Sequence, residues 1–176
     1  MKLGGKRKKE TPFMNNPKRV FIYYLSNVKR ILEENESVDF HLKHRLTDTM
    51  FPAHQHISTA VSFTLRCCCQ LVSREVPTFY RGTDRAALID ELERAMGCLD
   101  SIPDNELERQ TSIQFEITAG FAKRSFERDA FINIYAIPNF LFHLSMAYAS
   151  LKVSGLSLGK ADFDQIHQYP DGFCFE

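Results

Sequence analysis

Asn139 and His143 are two polar residues within the apolar stretch formed by residues 138–149. On a helix, residues four apart lie one above the other on the same face. The neighbours on that face are apolar, namely Ala136, Phe140 and Ala147. Two polar side chains on such a surface are typical of either a satisfied buried hydrogen bond or half of a binding site.

His54 and His56 lie at the start of another segment with helical periodicity, whose apolar stripe is centred on Ile57 and Val61. His54 lies nearer that stripe and His56 about a quarter-turn away from it, so helix geometry alone favours His54 as the inward-facing residue. An unperturbed imidazole titrates near neutral pH. If His56 and His143 converge, one of them could therefore act as a general base.

Four long helices must position these residues. Apolar side chains recur at helical spacing in four segments, which predicts helices over residues 17–36, 52–73, 84–101 and 129–152. Residues 38–46 are predicted to add a short helical turn. Between the third and fourth helices, apolar and polar residues alternate over residues 110–128, which predicts a small β-hairpin with its turn at Thr118-Ala119-Gly120.

Residue types at the ends of these segments indicate where the helices begin and end. Asn16 before Pro17 is a suitable N-cap for the first helix, and Thr83 is the predicted N-cap of the third. Pro138 must kink the last helix or mark its true beginning. Gly155 is predicted to end it in a left-handed conformation, and the residues after 156 are expected to be irregular and to pack through Phe163, Phe173 and Phe175.

Four long helices without internal repeats predict an all-α fold, a four-helix bundle with a small β-hairpin before the last helix. The expected organisation is a basic disordered tail over residues 1–12, one domain over residues 13–163 and a C-terminal tail over residues 164–176. The sequence contains no Gly-rich phosphate loop and no Gly-x-Ser-x-Gly nucleophile motif. Nucleotide-dependent chemistry is therefore not expected.

Charge and hydropathy limit the partners and the location. Lys plus Arg and Asp plus Glu number 22 each, which favours no nucleic-acid partner. No uninterrupted apolar run reaches the ~18 residues of a membrane span, and no signal peptide is recognised, so a cytoplasmic protein without membrane contact is expected. The run Lys6-Arg7-Lys8-Lys9 could serve as a nuclear address, although a solvated basic tail is the preferred interpretation.

The five cysteines include three consecutive ones, Cys67, Cys68 and Cys69. On a helix they point about 100° apart, so they cannot all bind one ion. They are predicted to be reduced thiols, with burial as a small apolar side chain sufficient to explain Cys68.

Several short motifs together resemble one known family. They are Met50-Phe51-Pro52, Val76-Pro77-Thr78-Phe79, Leu99-Asp100-Ser101, Ile137-Pro138-Asn139-Phe140-Leu141-Phe142-His143, and Gly155 followed by Gly159-Lys160-Ala161-Asp162-Phe163. In order and spacing the chain resembles a domain-of-unknown-function branch of the DinB-like (DinB/YfiT-like) superfamily of four-helix-bundle proteins, over about residues 15–163.

The resemblance implies an up-down-down-up four-helix bundle that is often dimeric. In metal-binding members, a divalent ion such as nickel or zinc is held by one histidine from the second helix and an i,i+4 pair of histidines from the last. Asn139 and His143 fall on that pair, and His56 falls where this branch usually carries Gln, so the mapping favours His56 over His54. Because Asn139 departs from the three-histidine pattern, no metal is expected; if one is bound, its ligands are His56, Asn139 and His143.

Three functions remain open from these residues. The first is a small-molecule site between helices, with His143 and His56 as catalytic residues for metal-independent isomerisation, cyclisation or dehydration. Its expected ligand-binding residues are Asn139, His54, Phe140, Phe51 and Tyr24. The second is a divalent-metal enzyme or thiol transferase of DinB-like type, and the third is a non-enzymatic interaction scaffold; a homodimer is expected.

Overall fold

The computed structural model of the chain describes residues 16–109 and 112–170. The predicted tail 1–12, the predicted strand positions 110 and 111, and residues Phe173 and Phe175 lie outside these ranges. The described chain is mostly helical with one two-stranded antiparallel sheet. Its elements are α1 (Pro17–Glu34), α2 (Val38–Leu42), α3 (Ala53–Leu71), α4 (Arg85–Asp100), α5 (Asp104–Leu107), β1 (Phe115–Ala119), β2 (Ala122–Phe126), α6 (Arg128–Ala130), a π-helical segment (Phe131–Ala136), α7 (Ile137–Val153) and α8 (Lys160–Asp164).

The core lies between the four long helices α1, α3, α4 and α7. The helix α3 packs along α7 and also contacts α4, and α1 packs against α4 and α3. Apolar residues at helical spacing on α1, such as Phe21, Leu25 and Leu32, are fully buried. Each such side chain removed from water contributes about 1.5–3 kcal/mol, so the apolar stripes seen in the sequence explain why these helices associate.

The beginning of α1 is confirmed and that of α4 is corrected. Asn16 is the N-cap of α1, and its Oδ1 accepts a hydrogen bond from the Lys18 backbone N–H at 3.2 Å. The N-cap of α4 is Asp84, not Thr83, because the Asp84 carboxylate accepts from the Ala87 backbone N–H at 2.9 Å. A carboxylate at this position also interacts favourably with the helix dipole, which a threonine hydroxyl does less well.

The β-hairpin is confirmed, with its turn at residues 120 and 121 instead of 118–120. The strands pair from Phe115 opposite Phe126 to Ala119 opposite Ala122, so the turn falls at Gly120 and Phe121. Gly120 has a φ of +60°, which a glycine adopts without steric cost. The buried Phe115 ring stacks on Phe131 with ring centroids 4.9 Å apart, and this contact joins the hairpin to the last helical segment.

Pro138 coincides with a change of helix type. The π-helical segment Phe131–Ala136 precedes α7, and Pro138 lies in the first turn of α7. Proline has no N–H to donate to the carbonyl four residues earlier, and its ring would clash with that carbonyl in a regular α-helix. The wider turn before Ile137 accommodates this, so Pro138 marks the start of α7 within a continuous helical segment.

Residues 156–170 are more regular than predicted. Gly155 has a φ of +107° and follows α7, as expected. The region after residue 156, predicted to be irregular, contains α8. Phe163 of α8 packs against Tyr24 and Tyr148, with ring centroids 5.3 and 5.7 Å away, so this short helix is held by side-chain contacts that local sequence patterns do not reveal.

The continuous helical segment Arg128–Val153 is long and apolar enough to cross a membrane by length and composition alone. The expectation concerned an uninterrupted apolar run, whereas this segment is apolar on average, with Arg128, Asp129 and Lys152 near its ends. A core helix of a soluble protein passes the same test, and α7 packs against α3 in this fold. The segment is therefore weak evidence for a membrane span.

Candidate functional site

The packing of α3 against α7 brings His56 and His143 into direct contact. His56 lies in the first turn of α3 and is 4% exposed, and His143 lies near the middle of α7 and is partly buried. Their Nδ1 atoms are 2.9 Å apart, which is hydrogen-bonding distance. Their ring centroids are 5.2 Å apart. The structure thus buries His56, as the family mapping indicates, and leaves His54 only half-buried.

A hydrogen bond between two Nδ1 atoms fixes complementary tautomers of the two rings. A neutral imidazole carries one N–H and one lone pair, so one Nδ1 must donate and the other accept. If His143 donates, its Nε2 is left with a lone pair and His56 carries its hydrogen on Nε2. If His56 donates, the two roles are exchanged. Passing from one arrangement to the other moves a proton across the shared bond, adds one to the Nε2 of one ring and removes one from the Nε2 of the other, so the outer nitrogen of His143 changes between acceptor and donor.

Phenylalanine rings surround the pair, and we call Phe51, Phe63 and Phe142 the aromatic shell. The His143 ring stacks on Phe51 and on Phe63, with centroid distances of 6.3 and 5.7 Å and interplanar angles of 13° and 24°. Phe142 lies edge-on to both imidazoles, and it and Phe51 are about half-exposed. The shell provides apolar contact surface around two polar groups, as small-molecule sites commonly do.

Both imidazoles are held in the neutral form at neutral pH. Burial lowers the pKa of His143 to about 4, with a further contribution from the charge that His56 would carry. Burial also lowers the pKa of His56. The aromatic shell disfavours an imidazolium. At pH 7 the two rings therefore share a hydrogen bond and carry no charge.

The second ring nitrogen of His56 is buried without a hydrogen-bond partner. Within residues 16–109 and 112–170, no group bonds to His56 Nε2. Leaving a buried polar atom unpaired costs about 1–3 kcal/mol, so such an atom calls for a specific explanation. A ligand group or a water molecule that reaches this nitrogen would remove the cost.

Asn139 and His54 do not join the pair. The Asn139 side-chain amide donates to the Tyr135 backbone carbonyl at 2.7 Å, so it bonds to its own helix where the π-helical segment meets α7. His54 is half-buried; its pKa is lowered by burial and by the charges of Arg45 and Lys43. Of the five predicted ligand-binding residues, Phe51 is the one that the structure places against both histidines.

Phe140 and Tyr24 lie elsewhere, in the core. Phe140 is fully buried and packs against Phe21 and Tyr24, with ring centroids 4.9 and 6.4 Å away. Tyr24 lines a cavity of about 20 Å³ together with Ile57, Leu144 and other apolar residues, and neither histidine of the pair lines it. That volume is about the space of one water. The predicted single pocket uniting all seven residues is therefore not what the structure forms.

The donor set does not match the three-ligand metal site that the family resemblance implies. Two imidazole nitrogens converge, but the amide of Asn139 is bonded to Tyr135. Among the residues that the structure describes, no group of three or more His, Cys, Asp or Glu side chains is placed to hold an ion. A catalytic zinc site normally has three protein ligands, so His56 and His143 would supply only part of one.

Glu91 is a buried polar residue that the sequence analysis missed. It is 3% exposed, on the inner face of α4 between the buried Leu88, Leu92 and Ala95. Its Oε2 accepts hydrogen bonds from Ser58 Oγ at 2.7 Å and from the Gly82 backbone N–H at 3.1 Å. The signal was available in the sequence, because a carboxylate within a helical apolar stripe must find a buried partner.

Two comparisons place the chain among known proteins. A family described as "Domain of unknown function (DUF1993)" matches residues 15–164. The fold is similar to the crystal structure of a DinB family member protein from Shewanella denitrificans, with a TM-score of 0.77 and 20% sequence identity over 91% of this chain and 98% of that chain. At this identity the likeness concerns the fold alone. No curated protein matches the chain.

Proposed function

Because the chain belongs to the DUF1993 family, a domain-of-unknown-function branch of DinB-like proteins, we propose a function from its own residues: it binds a small organic molecule at the His56–His143 pair. The observation that carries this proposal is the 2.9 Å contact between the two Nδ1 atoms, next to a buried His56 Nε2 that has no partner among the described residues. An apolar or aromatic ligand would lie against the aromatic shell and offer one polar group to an imidazole nitrogen.

The same geometry supports metal-independent acid/base chemistry, with His143 and His56 as the catalytic residues. In the tautomer with His143 donating to His56, the lone pair on His143 Nε2 can take a proton from the substrate. The Nδ1 proton of His143 then moves to His56 Nδ1, so the positive charge is shared by the pair. The shared proton then returns to His143 Nδ1 while His143 Nε2 gives its proton to another substrate atom, which completes an isomerisation, or to a departing hydroxide, which completes a dehydration.

The lowered pKa restricts the substrates that fit this scheme. A histidine with a pKa of about 4 is a weak base, and its conjugate acid is correspondingly strong. As a base, the pair therefore suits substrates whose proton is already activated, for example on a carbon beside a carbonyl. As an acid, it can protonate substrate atoms that are only weakly basic.

Binding can be tested with simple aromatic probes. In histidine-labelled protein, phenol and benzamide should shift the imidazole NMR signals of His56 and His143 in a saturable way. The variant His143→Gln should lose this response, whereas His54→Gln, which removes a neighbouring histidine outside the pair, should keep it. Equal affinity of a folded His143→Gln protein for both probes would count against the proposal.

A divalent-metal enzyme or thiol transferase of DinB-like type is the second candidate, favoured by the convergence of two imidazoles. Asn139 would have to leave the Tyr135 carbonyl to complete the predicted ligand set. Elemental analysis of protein purified without an affinity tag should then give one nickel or zinc per chain. A metal content well below one per chain, with no uptake of added Zn²⁺ or Ni²⁺, would exclude this candidate.

We further infer that α1, α3, α4 and α7 form an up-down-down-up four-helix bundle and that the protein is a cytoplasmic homodimer. The packing of α3 on α7 and of α1 on α4 supports the bundle, and exposed apolar side chains such as Phe121 and Ile134 support association. If the protein is a dimer and no probe shifts the NMR signals of His56 and His143, its function as a non-enzymatic interaction scaffold would be favoured. Light scattering of the full chain measures the oligomeric state.

A further inference from the structure

A second polar site lies on the other side of α3. Residues 56 and 58 project about 200° apart on a helix, so Ser58 faces away from the His56–His143 pair. A cleft of about 190 Å³ lies there, between α3, α4 and the loop of residues 72–84. The polar side chains that line it are Ser58, Ser62, Arg66, Thr78, Arg81 and Glu91.

Glu91 offers an unused oxygen to this cleft. Its Oε2 accepts from Ser58 and from the Gly82 N–H, whereas Oε1 makes no hydrogen bond with any group in the described ranges 16–109 and 112–170. Burial raises the pKa of Glu91, and its hydrogen bonds and the charge of Arg81 oppose that rise. Because Glu91 is 3% exposed and accepts both of these bonds on Oε2, its Oε1 can accept from a donor in the cleft.

The position of Glu91 is fixed by the close approach of the loop to α4. A Cβ on Gly82 would lie 2.5 Å from the Leu88 backbone nitrogen, so only glycine lets the loop lie this near. The contact brings the Gly82 N–H to Glu91 and holds the loop over the cleft. The carboxylate is therefore preorganised, and its free oxygen does not need to move to meet a ligand.

Two arginine side chains line the same cleft, and the guanidinium of Arg66 is turned towards Phe63 of the aromatic shell. Arg66 donates to the Tyr135 hydroxyl at 3.3 Å and lies over the Phe63 ring at 5.4 Å, which orients its side chain. Arg81 is exposed at the cleft and close enough to Glu91 to affect its pKa. Arginine pairs well with carboxylates through its planar, forked donors. The remaining lining is largely apolar and includes Leu65 and Phe79.

We propose that this cleft binds a small apolar α-amino acid. The ammonium group of the ligand donates to Glu91 Oε1, its carboxylate pairs with Arg81, and its apolar side chain packs against Leu65 and Phe79. A simple cation would be repelled by Arg81, and a simple anion would leave Glu91 without a donor. A zwitterion satisfies both requirements.

The experiment titrates the full chain with L-leucine and follows the backbone NMR signals of Ser58 and Gly82. Two analogues separate the charges: 4-methylpentanoate lacks the ammonium group, and isoamylamine lacks the carboxylate. L-Leucine, L-methionine or L-phenylalanine should give saturable shifts at both residues. L-Leucine should bind about tenfold or more tightly than either analogue, because each lost charged hydrogen bond typically costs at least this factor.

Variants test the same assignment. Arg81→Gln, at an exposed position that does not endanger folding, should weaken L-leucine binding about tenfold, and Glu91→Gln should do so if it remains folded. Arg94→Gln removes an exposed arginine of α4 outside the cleft and should bind like the unchanged protein. The proposal is overturned if none of the three amino acids gives saturable shifts, if 4-methylpentanoate binds as well as L-leucine, or if Arg81→Gln has no effect.

Discussion

Acid should destabilise the fold through protonation of His143. The pKa of His143 is about 4 in the folded protein, against 6.5 for an unperturbed histidine. Between these values the unfolded chain binds a proton that the folded chain does not, so the free energy of unfolding falls as the pH is lowered. The contribution of His143 is fully present above pH 6.5 and is lost by about pH 4.

The size of this loss follows from the pKa difference. Each pKa unit corresponds to about 1.4 kcal/mol, and the His143 ring is partly exposed to solvent, so a discounted loss of about 2 kcal/mol is expected. His56, whose pKa is also lowered by burial, adds a loss of the same sign. The same apolar shell that makes the pair neutral at pH 7 is thus the origin of the acid sensitivity.

Urea unfolding at several pH values between 7 and 4 measures this effect. His143→Gln carries no titrating group at position 143, so its unfolding free energy should fall less over this range, by about 2 kcal/mol, than that of the unchanged protein. His41→Gln is the matched control, because His41 contacts Ser154 at 2.9 Å and lies outside the aromatic shell; it should keep the full pH dependence. The reasoning is refuted if His143→Gln and the unchanged protein lose stability in parallel.

Two further predictions concern the fold that positions these sites. Gly82→Ala should destabilise the protein by about 2 kcal/mol or more, because its Cβ would meet the Leu88 backbone nitrogen at 2.5 Å. Gly97→Ala lies in a helix and its Cβ would meet nothing within 4 Å, so it should stabilise the protein by roughly 0.5–1 kcal/mol. Thermal unfolding of the two variants compares them directly, and equal effects would contradict the loop contact. Asn16→Ala should cost about 1 kcal/mol through loss of the cap on Lys18, measured by urea unfolding; an unchanged midpoint would show that the cap contributes nothing.

The helices and the hairpin follow from sequence patterns because their signals are local. Helical spacing of apolar residues predicts the extents of α1, α3 and α4 within two or three residues, and strict alternation around Phe115 and Ile117 predicts the hairpin. The sequence leaves the N-cap of α4 uncertain by one residue, because Thr83 and Asp84 are both good capping residues. Only the backbone conformation decides between them.

The sites were harder to predict because they depend on contacts between distant segments. Asn139 lies one turn from His143 on α7, and the sequence could not show that its amide would bond to the Tyr135 carbonyl at the end of a π-helical segment. The contact of His56 with His143 joins residues 87 positions apart. Glu91 was overlooked because its partners, Ser58 and Gly82, come from another helix and from a loop.

The proposed function depends above all on the shared hydrogen bond between His56 and His143. In protein labelled with ¹⁵N-histidine, NMR can detect scalar coupling between the two Nδ1 nuclei across that bond, while a pH titration follows both rings. A coupled pair of neutral imidazoles at pH 7, with His143 titrating near pH 4, is the predicted result. Two uncoupled rings that titrate independently near pH 6.5 would contradict it.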